Sequence, residues 1–440
     1  VFLGNRALAH LKLENYGLAI ADSDEALRLD PSYIKAYYRR GSANMALGKY
    51  KAALGDFKQV VKMQPTSKEA RAKNKACDKA AKEAAFASAI QQEEEVPLAE
   101  RIEPNDIDVD ASYDGPRLDD DGTVTVHFCE QMIERFKAQK TICKRDMVWI
   151  LVRSYRALKT SPSLMRLQVP EGEGGHFTVC GDTHGQFYDV LKIFELNGLP
   201  SADNPCLFNG DFVDRGSFSV EVVTTFLALK LAVPDGIFLT RGNHESKNMN
   251  TIYGFEGEVK HKFDQRVMAL FTEVFNWLPL AATLDDKVFI THGGLASKDG
   301  VTLSDVERVP RGREPPEAGG IMSDLMWSDP QPFPGRAASK RGVGTAFGPD
   351  VTQRFLEENG LELLVRSHEV KEEGYLVEHS GKCITVFSAP NYCDQQMGNK
   401  GAFIRFAKDL KPQFVQFQAS PHPPIRPMAY AGGFGGMFGL

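Results

Sequence analysis

Cysteine is scarce in this chain of 440 residues: there are seven, an odd number, scattered and never spaced Cys-x-x-Cys. Neither a disulfide framework nor a zinc ribbon is compatible with that spacing, and a reducing compartment, cytoplasm or nucleus, is expected. Long apolar runs are missing too. None approaches the ~18 residues of a membrane span, and no signal-peptide pattern opens the chain. Basic charge is not in excess: the formal net charge is −6, which argues against broad affinity for nucleic acid. What remains is a globular composition, long enough for two or three domains.

The first 66 residues carry a period. Tyr16 corresponds to Tyr50, Ala19 to Ala53, Asp22 to Asp56 and Pro31 to Pro65, each at the ~34-residue offset of a tetratricopeptide helix pair. Small residues Ala9 and Ala43 are expected where paired helices meet. About two repeats fit in residues 1–66, and such arrays usually need three or more. Since the chain opens on Val1 in mid-unit, a first repeat and the true N-terminus are expected upstream. Residues 67–92, rich in Ala, Lys and Glu, predict an extension helix. Residues 93–121 hold Glu93 to Glu95 and Asp119 to Asp121 among prolines and glycines, without an apolar period, and predict an extended acidic linker. From Thr125 to Leu158 apolar residues recur at helical spacing, and from 176 onward strands and helices alternate, the pattern of a layered α/β domain. Residues 431–440 read as a glycine-rich tail.

Three stretches in that domain share one design. Cys180–Gln186 reads Cys-Gly-Asp-Thr-His-Gly-Gln, 209–216 reads Asn-Gly-Asp-Phe-Val-Asp-Arg-Gly, and 241–245 reads Arg-Gly-Asn-His-Glu. Each follows a short apolar run of strand character, at 176–179, 205–208 and 236–240. A strand ends, a glycine permits a tight turn, and a short Asp, Asn or His projects from it. Repetition on neighbouring strands gathers oxygen and imidazole donors at one sheet edge, where open α/β sheets bind ligands. Two further strand-end histidines follow, His292 and His368. A carboxylate, carboxamide and imidazole set suits Mn, Fe or Zn. His10, His127, His261, His379 and His422 lie outside such contexts and read as surface or packing residues.

On these motifs, residues 122–430 resemble the catalytic domain of the phosphoprotein phosphatase family of serine/threonine phosphatases. The repeats in front, with Ser-Ala-Pro-Asn-Tyr-Cys-Asp at 388–394, resemble its type 5 branch. The resemblance implies all-α tetratricopeptide repeats followed by an α/β metallophosphatase domain with a β-sandwich core flanked by helices. It implies two divalent metals: Asp182, His184 and Asp211 on one, and Asp211, Asn243, His292 and His368 on the other, with Asp211 shared. Manganese is expected in the protein as prepared, iron or zinc in cells. The implied reaction is hydrolysis of phosphoserine and phosphothreonine by a hydroxide shared between the metals. His244 would be the general acid, oriented by Asp214, and Arg215 and Arg341 would hold phosphate oxygens as planar forks do. Tyr392 would lie near the phosphate. Substrate contacts would come from Arg215, Asn243, His244, Arg341, His368 and Tyr392. Arg366 is expected in a structural ion pair. The sequence departs from the family at Gly344, commonly Ser, and by one additional Gln within 394–399.

For the repeats, the resemblance implies a carboxylate clamp for the C-terminal tails of heat-shock protein 90 class chaperones, built from Asn5, Lys12, Lys35 and Arg39. Glu14 would autoinhibit by reaching the phosphate-binding arginines, with relief by chaperone tails or fatty acids. The alternative from another class is a tetratricopeptide co-chaperone scaffold carrying a vestigial catalytic domain.

Overall fold

The computed structural model describes residues 1–89, 96–172, 174–316, 319–394, 397–426 and 428–431. The Glu93–Glu95 run, the additional Gln of 394–399 and all but the first residue of the 431–440 tail lie outside them.

Two antiparallel helix pairs open the chain: α1 (Phe2–Lys12) with α2 (Tyr16–Leu29), then α3 (Ile34–Ala46) with α4 (Tyr50–Met63), followed by α5 (Lys68–Ala89). The repeating aspartates have a physical cause. Arg6 donates from Nε to Asp22 at 2.7 Å, and Arg40 donates from Nη2 to Asp56 at 2.7 Å, the same ion pair one repeat later. Ala43 is buried between helices as expected. Ala9 is exposed, because the described residues put no helix against its face of α1.

The second region is a sandwich of two sheets. One has the order β1 (Leu164–Leu167), β5 (Ala281–Leu284), β6 (Val288–Thr291), β10 (Leu363–Arg366), β12 (Cys383–Val386), β11 (Tyr375–Glu378). The other runs β14 (Pro412–Phe417), β13 (Gly401–Phe406), β2 (Phe177–Cys180), β3 (Cys206–Phe208), β4 (Ile237–Leu239). A small third sheet joins β7 (Asp329–Pro330), β9 (Thr345–Phe347) and β8 (Arg336–Ala338). Alternate strand residues, among them Phe177, Val179, Leu207, Ile290, Val365, Ile384 and Ile404, fill the space between the two large sheets. The outer face of the five-stranded sheet is covered by α7 (Val126–Lys137), α8 (Lys144–Thr160), α9 (Phe187–Asn197), α10 (Ser219–Ala232) and α13 (Gln265–Asn276). Strands β2, β3 and β4 are mutually parallel, as are β6 and β10. Five carboxyl ends therefore open toward one rim.

Residues 96–121 are not an extended linker. They contain the short helix α6 (Leu98–Arg101), and Ala99, Ile102 and Leu118 join the core of the catalytic domain. Glu273 accepts from the amides of Leu98 (2.7 Å) and Ala99 (2.9 Å), and Asp146 accepts from Leu118. The apolar residues are too sparse to show a period, yet each finds a pocket on α8 or α13. The C-terminal segment is also docked: Ser420 donates its amide to Asp189 at 2.7 Å, and Tyr430 packs on His261.

Because Leu118 is only 4% exposed, Leu118→Ala should cost about 2–4 kcal/mol of stability in urea unfolding followed by tryptophan fluorescence. A residue in a solvated linker would leave the midpoint unchanged.

Candidate active site

The rim receives Asp182 and His184 beyond β2, Asp211 beyond β3, Asn243 and His244 beyond β4, His292 beyond β6 and His368 beyond β10. These turns are tight enough to need left-handed backbone at non-glycine residues. His184 (φ 41°), Asp211 (52°), Asp214 (71°), Arg215 (70°) and His368 (68°) all lie there. Each such residue costs about 1–3 kcal/mol, and the conformation persists only where the surroundings fix it. Here the loops interlock through main-chain bonds: the His184 amide donates to the Asp211 carbonyl at 2.9 Å, and Gly185 to Phe212 at 2.8 Å.

All six residues expected as metal ligands come together and are buried. Asp211 Oδ2 is central, 3.6 Å from His184 Nε2 and 3.2 Å from His292 Nε2. Asp182 Oδ2 lies 3.6 Å from His184 Nε2. On the other side, His292 Nε2 is 3.1 Å from Asn243 Oδ1 and 3.3 Å from His368 Nδ1. The remaining ring nitrogens of two histidines are engaged elsewhere, His184 Nδ1 with the Val213 carbonyl (3.1 Å) and His292 Nδ1 with that of Asn209 (2.7 Å). That fixes Nε2 as the atom facing the cluster. Burial, then the charges of Arg341 and His292, hold the His368 ring far below its usual pKa, in the neutral form that ligation needs. Carboxylate oxygens and imidazole lone pairs facing one another in a buried space are unfavourable without cations between them. The donor set fits hard-to-intermediate divalent ions.

Beside this cluster sits a cationic half. His244 Nδ1 is 2.8 Å from Asp214 Oδ2, whose carboxylate also accepts from Asn250 Nδ2 (3.1 Å) and the Phe255 amide (2.9 Å). Arg215 stacks over Tyr253, 4.0 Å from guanidinium carbon to ring centre. Arg341 is anchored by Asp329 at 2.7 Å and by the His368 carbonyl at 3.0 Å. Tyr392 packs 5.0 Å from the His184 ring. Gly344 adopts φ 68°, and a Cβ there would lie 2.9 Å from the Ser328 amide, so this loop conformation calls for glycine while Arg341 still reaches the cleft. Arg366 is held by Asp329 (2.8 Å) and Glu369 (3.0 Å), an ion-pair network that shares Asp329 with Arg341.

The repeats enter the same cleft. Glu14, at the left-handed turn after α1 (φ 58°), pairs with Arg215, lies 3.2 Å from His244 Nε2, and is 3.9 Å from Arg341 Nη1. Burial alone would raise the Glu14 carboxyl, but Arg215, His244 and Arg341 hold it well below the usual range. Burial likewise opposes charge on His244, and Glu14, Asp211 and Asp214 outweigh it, raising the imidazole well above its usual value. Tyr16 meets the Tyr253 hydroxyl, and Leu18 donates its amide to the Lys340 carbonyl at 3.2 Å. The clamp set does not join this site. Asn5, Lys12 and Lys35 are exposed on α1 and α3, whereas Arg39 is only 8% exposed and tucks beside Tyr33. Arg39, four positions from Lys35 on α3, is thus packed where Lys35 is exposed.

Tyr253 and Asn250, on α11 (Lys247–Tyr253), were not legible beforehand, since no motif surrounds them. Glu245 closes the Arg-Gly-Asn-His-Glu motif, whose spacing assigns it no role. Its carboxylate accepts from the amides of Asp211 (2.8 Å), Phe212 (2.8 Å) and Gly242 (2.9 Å). Burial, and then the charge of Asp211, push this carboxyl up to about 7 against those amides.

A buried cluster of Asp, Asn and His at parallel strand ends, in a two-sheet sandwich with arginines alongside, defines a metal-dependent phosphoesterase. The sequence matches the family described as calcineurin-like phosphoesterase over residues 175–372, tetratricopeptide repeats over 2–33 and 34–67, and the PPP5 TPR repeat region over 74–166. It is 53% identical over 433 residues to serine/threonine-protein phosphatase 5 of Homo sapiens, covering 98% of this chain and 86% of that one. Serine/threonine-protein phosphatase T of Trypanosoma brucei brucei is likewise 53% identical, over 98% of this chain and 90% of its own. A solved protein serine/threonine phosphatase from Saccharomyces cerevisiae, titled as similar to human phosphatase PP5, superposes with TM-score 0.66 at 43% identity, over 69% of this chain and 99% of that chain. The chain belongs to the serine/threonine-protein phosphatase 5 family. That membership implies a dimetal centre.

With Asp211 Oδ2 common to both halves of the cluster, Asp211→Asn is expected to lose bound metal and turnover together. Metal analysis of the purified protein beside an aryl phosphate assay decides it. Full turnover with both metals retained would exclude a shared ligand.

Proposed function

We propose that this protein hydrolyses phosphoserine and phosphothreonine in proteins, and that its repeats hold the catalytic cleft closed. The observation that carries the reading is the grip on Glu14: Arg215 and His244 contact one carboxylate beside a buried cluster of donors, with Arg341 close behind. A site that closes on a carboxylate in this way is built for an oxyanion. Asp182, His184 and Asp211 would hold one cation, and Asp211, Asn243, His292 and His368 the other. Bound there, two divalent ions supply Lewis acidity and bring the ionisation of water near neutral pH. Manganese fits the mixed oxygen and nitrogen set, as do iron and zinc.

The chain's own groups do the rest. Arg215 and Arg341 face the place where Glu14 now sits, and their forks would bind the equatorial oxygens of a phosphoryl group. Asn243 and His368, in the adjoining donor cluster, would meet it from the other side, and Tyr392, which packs against His184, would lie near it. His244 keeps Nδ1 on Asp214, so the proton on Nε2 points into the cleft. There it can be given to the departing serine or threonine oxygen, a poor leaving group without it. Asp214 is held in turn by Asn250 and Phe255, which fixes the ring plane. A scaffold with a vestigial catalytic domain is disfavoured by the family match to serine/threonine-protein phosphatases and by the presence of every one of these residues in the sequence.

The repeats support protein binding. Exposed Asn5, Lys12 and Lys35, with Arg39 beside them, suit the acidic C-terminal tails of heat-shock protein 90 class chaperones, and such tails or fatty acids would release the cleft. Seven unpaired, buried cysteines accord with cytoplasm and nucleus.

Replacing His244 by Asn is expected to keep metal binding and to depress turnover most for alkyl phosphates, since aryl leaving groups need less protonation. Equal loss on both substrates would sink the general-acid role. Glu14→Ala leaves Arg215 and His244 without their anion in the closed form, and loss of one partner of a buried charge pair shifts such an equilibrium by about tenfold or more. Basal turnover should rise several-fold; an unchanged rate counts against autoinhibition by this carboxylate.

A further inference from the structure

Glu245 touches no reacting group, yet its carboxylate is fully buried between two of the ligand-bearing loops. Oε2 accepts from the amides of Asp211 at 2.8 Å and Gly242 at 2.9 Å, and Oε1 from that of Phe212 at 2.8 Å. Two of these donors lie in the loop after β3 and one in the loop after β4. Asp211 itself sits at φ 52°, a conformation L-residues avoid. Left-handed backbone of this kind turns successive N–H groups toward one side, a concavity that suits an anion. Glu245 fills it from within the protein. Its own main chain is anchored, since Arg241 Nε donates to the Glu245 carbonyl at 3.0 Å.

The two loops could not meet otherwise. A Cβ at Gly242 would lie 2.2 Å from Asp211 Oδ1 and 2.3 Å from its amide nitrogen. The Asp211 side chain is steered as well: Oδ1 accepts from the His244 amide at 2.8 Å. With the main chain held by Glu245 and Oδ1 held by His244, Oδ2 is the atom left to face His184 and His292.

We propose that Glu245 is the positioning residue of the shared ligand, fixing the strained turn that aims Asp211 Oδ2 between the two halves of the cluster. This rests on the metal-site reading above. It assigns to Glu245 no contact with substrate and no proton transfer.

The test uses the full chain, stripped of metal and titrated with Mn2+ by calorimetry and EPR. The parent is expected to take up two Mn2+ with an exchange-coupled spectrum. Glu245→Gln is nearly isosteric but must turn one amide donor toward a backbone N–H. It is expected to bind Mn2+ 10–100-fold more weakly, the usual loss when an outer-sphere partner is removed, and to give the spectrum of isolated Mn2+. Asp146→Asn is the control for mere destabilisation, because Asp146 is another fully buried carboxylate that accepts a backbone amide, that of Leu118, on α8 away from these loops. It should keep the parent's affinity and coupling. If Glu245→Gln does not fold, Glu245→Asp, which retracts the carboxylate by one methylene, is read the same way. Parent-like affinity and coupling in the Glu245 variant, or an equal loss in Asp146→Asn, overturns the proposal. A parent that binds no Mn2+ pair instead overturns the metal-site reading itself.

Discussion

Two buried carboxylates, Asp182 and Asp211, share a small space with the lone pairs of three imidazoles, and the catalytic domain is arranged around that convergence. Removing an ion from water costs several kcal/mol even after relaxation, so the cluster is stable only with positive charge at its centre and rigid supports around it. The supports cross the sandwich. Asn209, at the end of β3, donates to the Thr291 carbonyl (2.8 Å) and to Ser367 Oγ (3.0 Å) on the opposite sheet, and accepts from Thr240 at 2.8 Å beyond β4. Its carbonyl also orients His292. One side chain thus locks four strand ends in register, which is why ligands from two sheets meet to within ångströms.

The same crowding of charge explains the reach of the repeats into the cleft. Outside the donor cluster stand Arg215, His244 and Arg341, cations that need an anion whenever water is excluded. Glu14 is that anion in the closed form. It is delivered by the turn between α1 and α2, and the repeat geometry supplies more than one handhold. Tyr16 and Tyr50, equivalent residues of successive repeats, both dock on α11: Tyr16 at Met249 and Tyr253, Tyr50 at Asn248. Helix α11 also carries Asn250, which steadies Asp214. The docking surface and the Asp214–His244 pair are therefore supported by one short helix.

Much of this was legible in the sequence, and the reason is locality. A strand, a glycine turn and a short polar residue lie within ten positions of each other, so Asp182, Asp211 and Asn243 announced themselves, and the repeat period was carried by Tyr, Ala, Asp and Pro at fixed offsets. The expected β-sandwich flanked by helices is the fold observed. What failed was sparse or long-range. Residues 96–121 looked like a linker because Ala99, Ile102 and Leu118 are too far apart to make a period, although each is buried. The burial of Arg39 was not legible either, because helical spacing sets direction along one helix and not what packs over it. Tyr253 and Asn250 lay outside every motif, and Glu14 entered only through family resemblance.

Under the autoinhibition proposed above, closure of the cleft has to be marginal for the enzyme to work. Being part of the same chain, the Glu14 carboxylate needs no second molecule to reach the cleft, yet it is a single charge. A phosphorylated side chain brings about −1.5 to −2 charges and three strong acceptor oxygens to the same arginines. Ion for ion a phosphate would be the better ligand, and under the proposed autoinhibition the contacts of Tyr16, Leu18 and Tyr50 make up the difference. Moving such a balance from almost wholly closed to almost wholly open takes about 5.5 kcal/mol of differential binding, the order of a few buried contacts. Under the same proposal, a change that keeps the two tyrosines from seating on α11 would act on catalysis without touching a catalytic group.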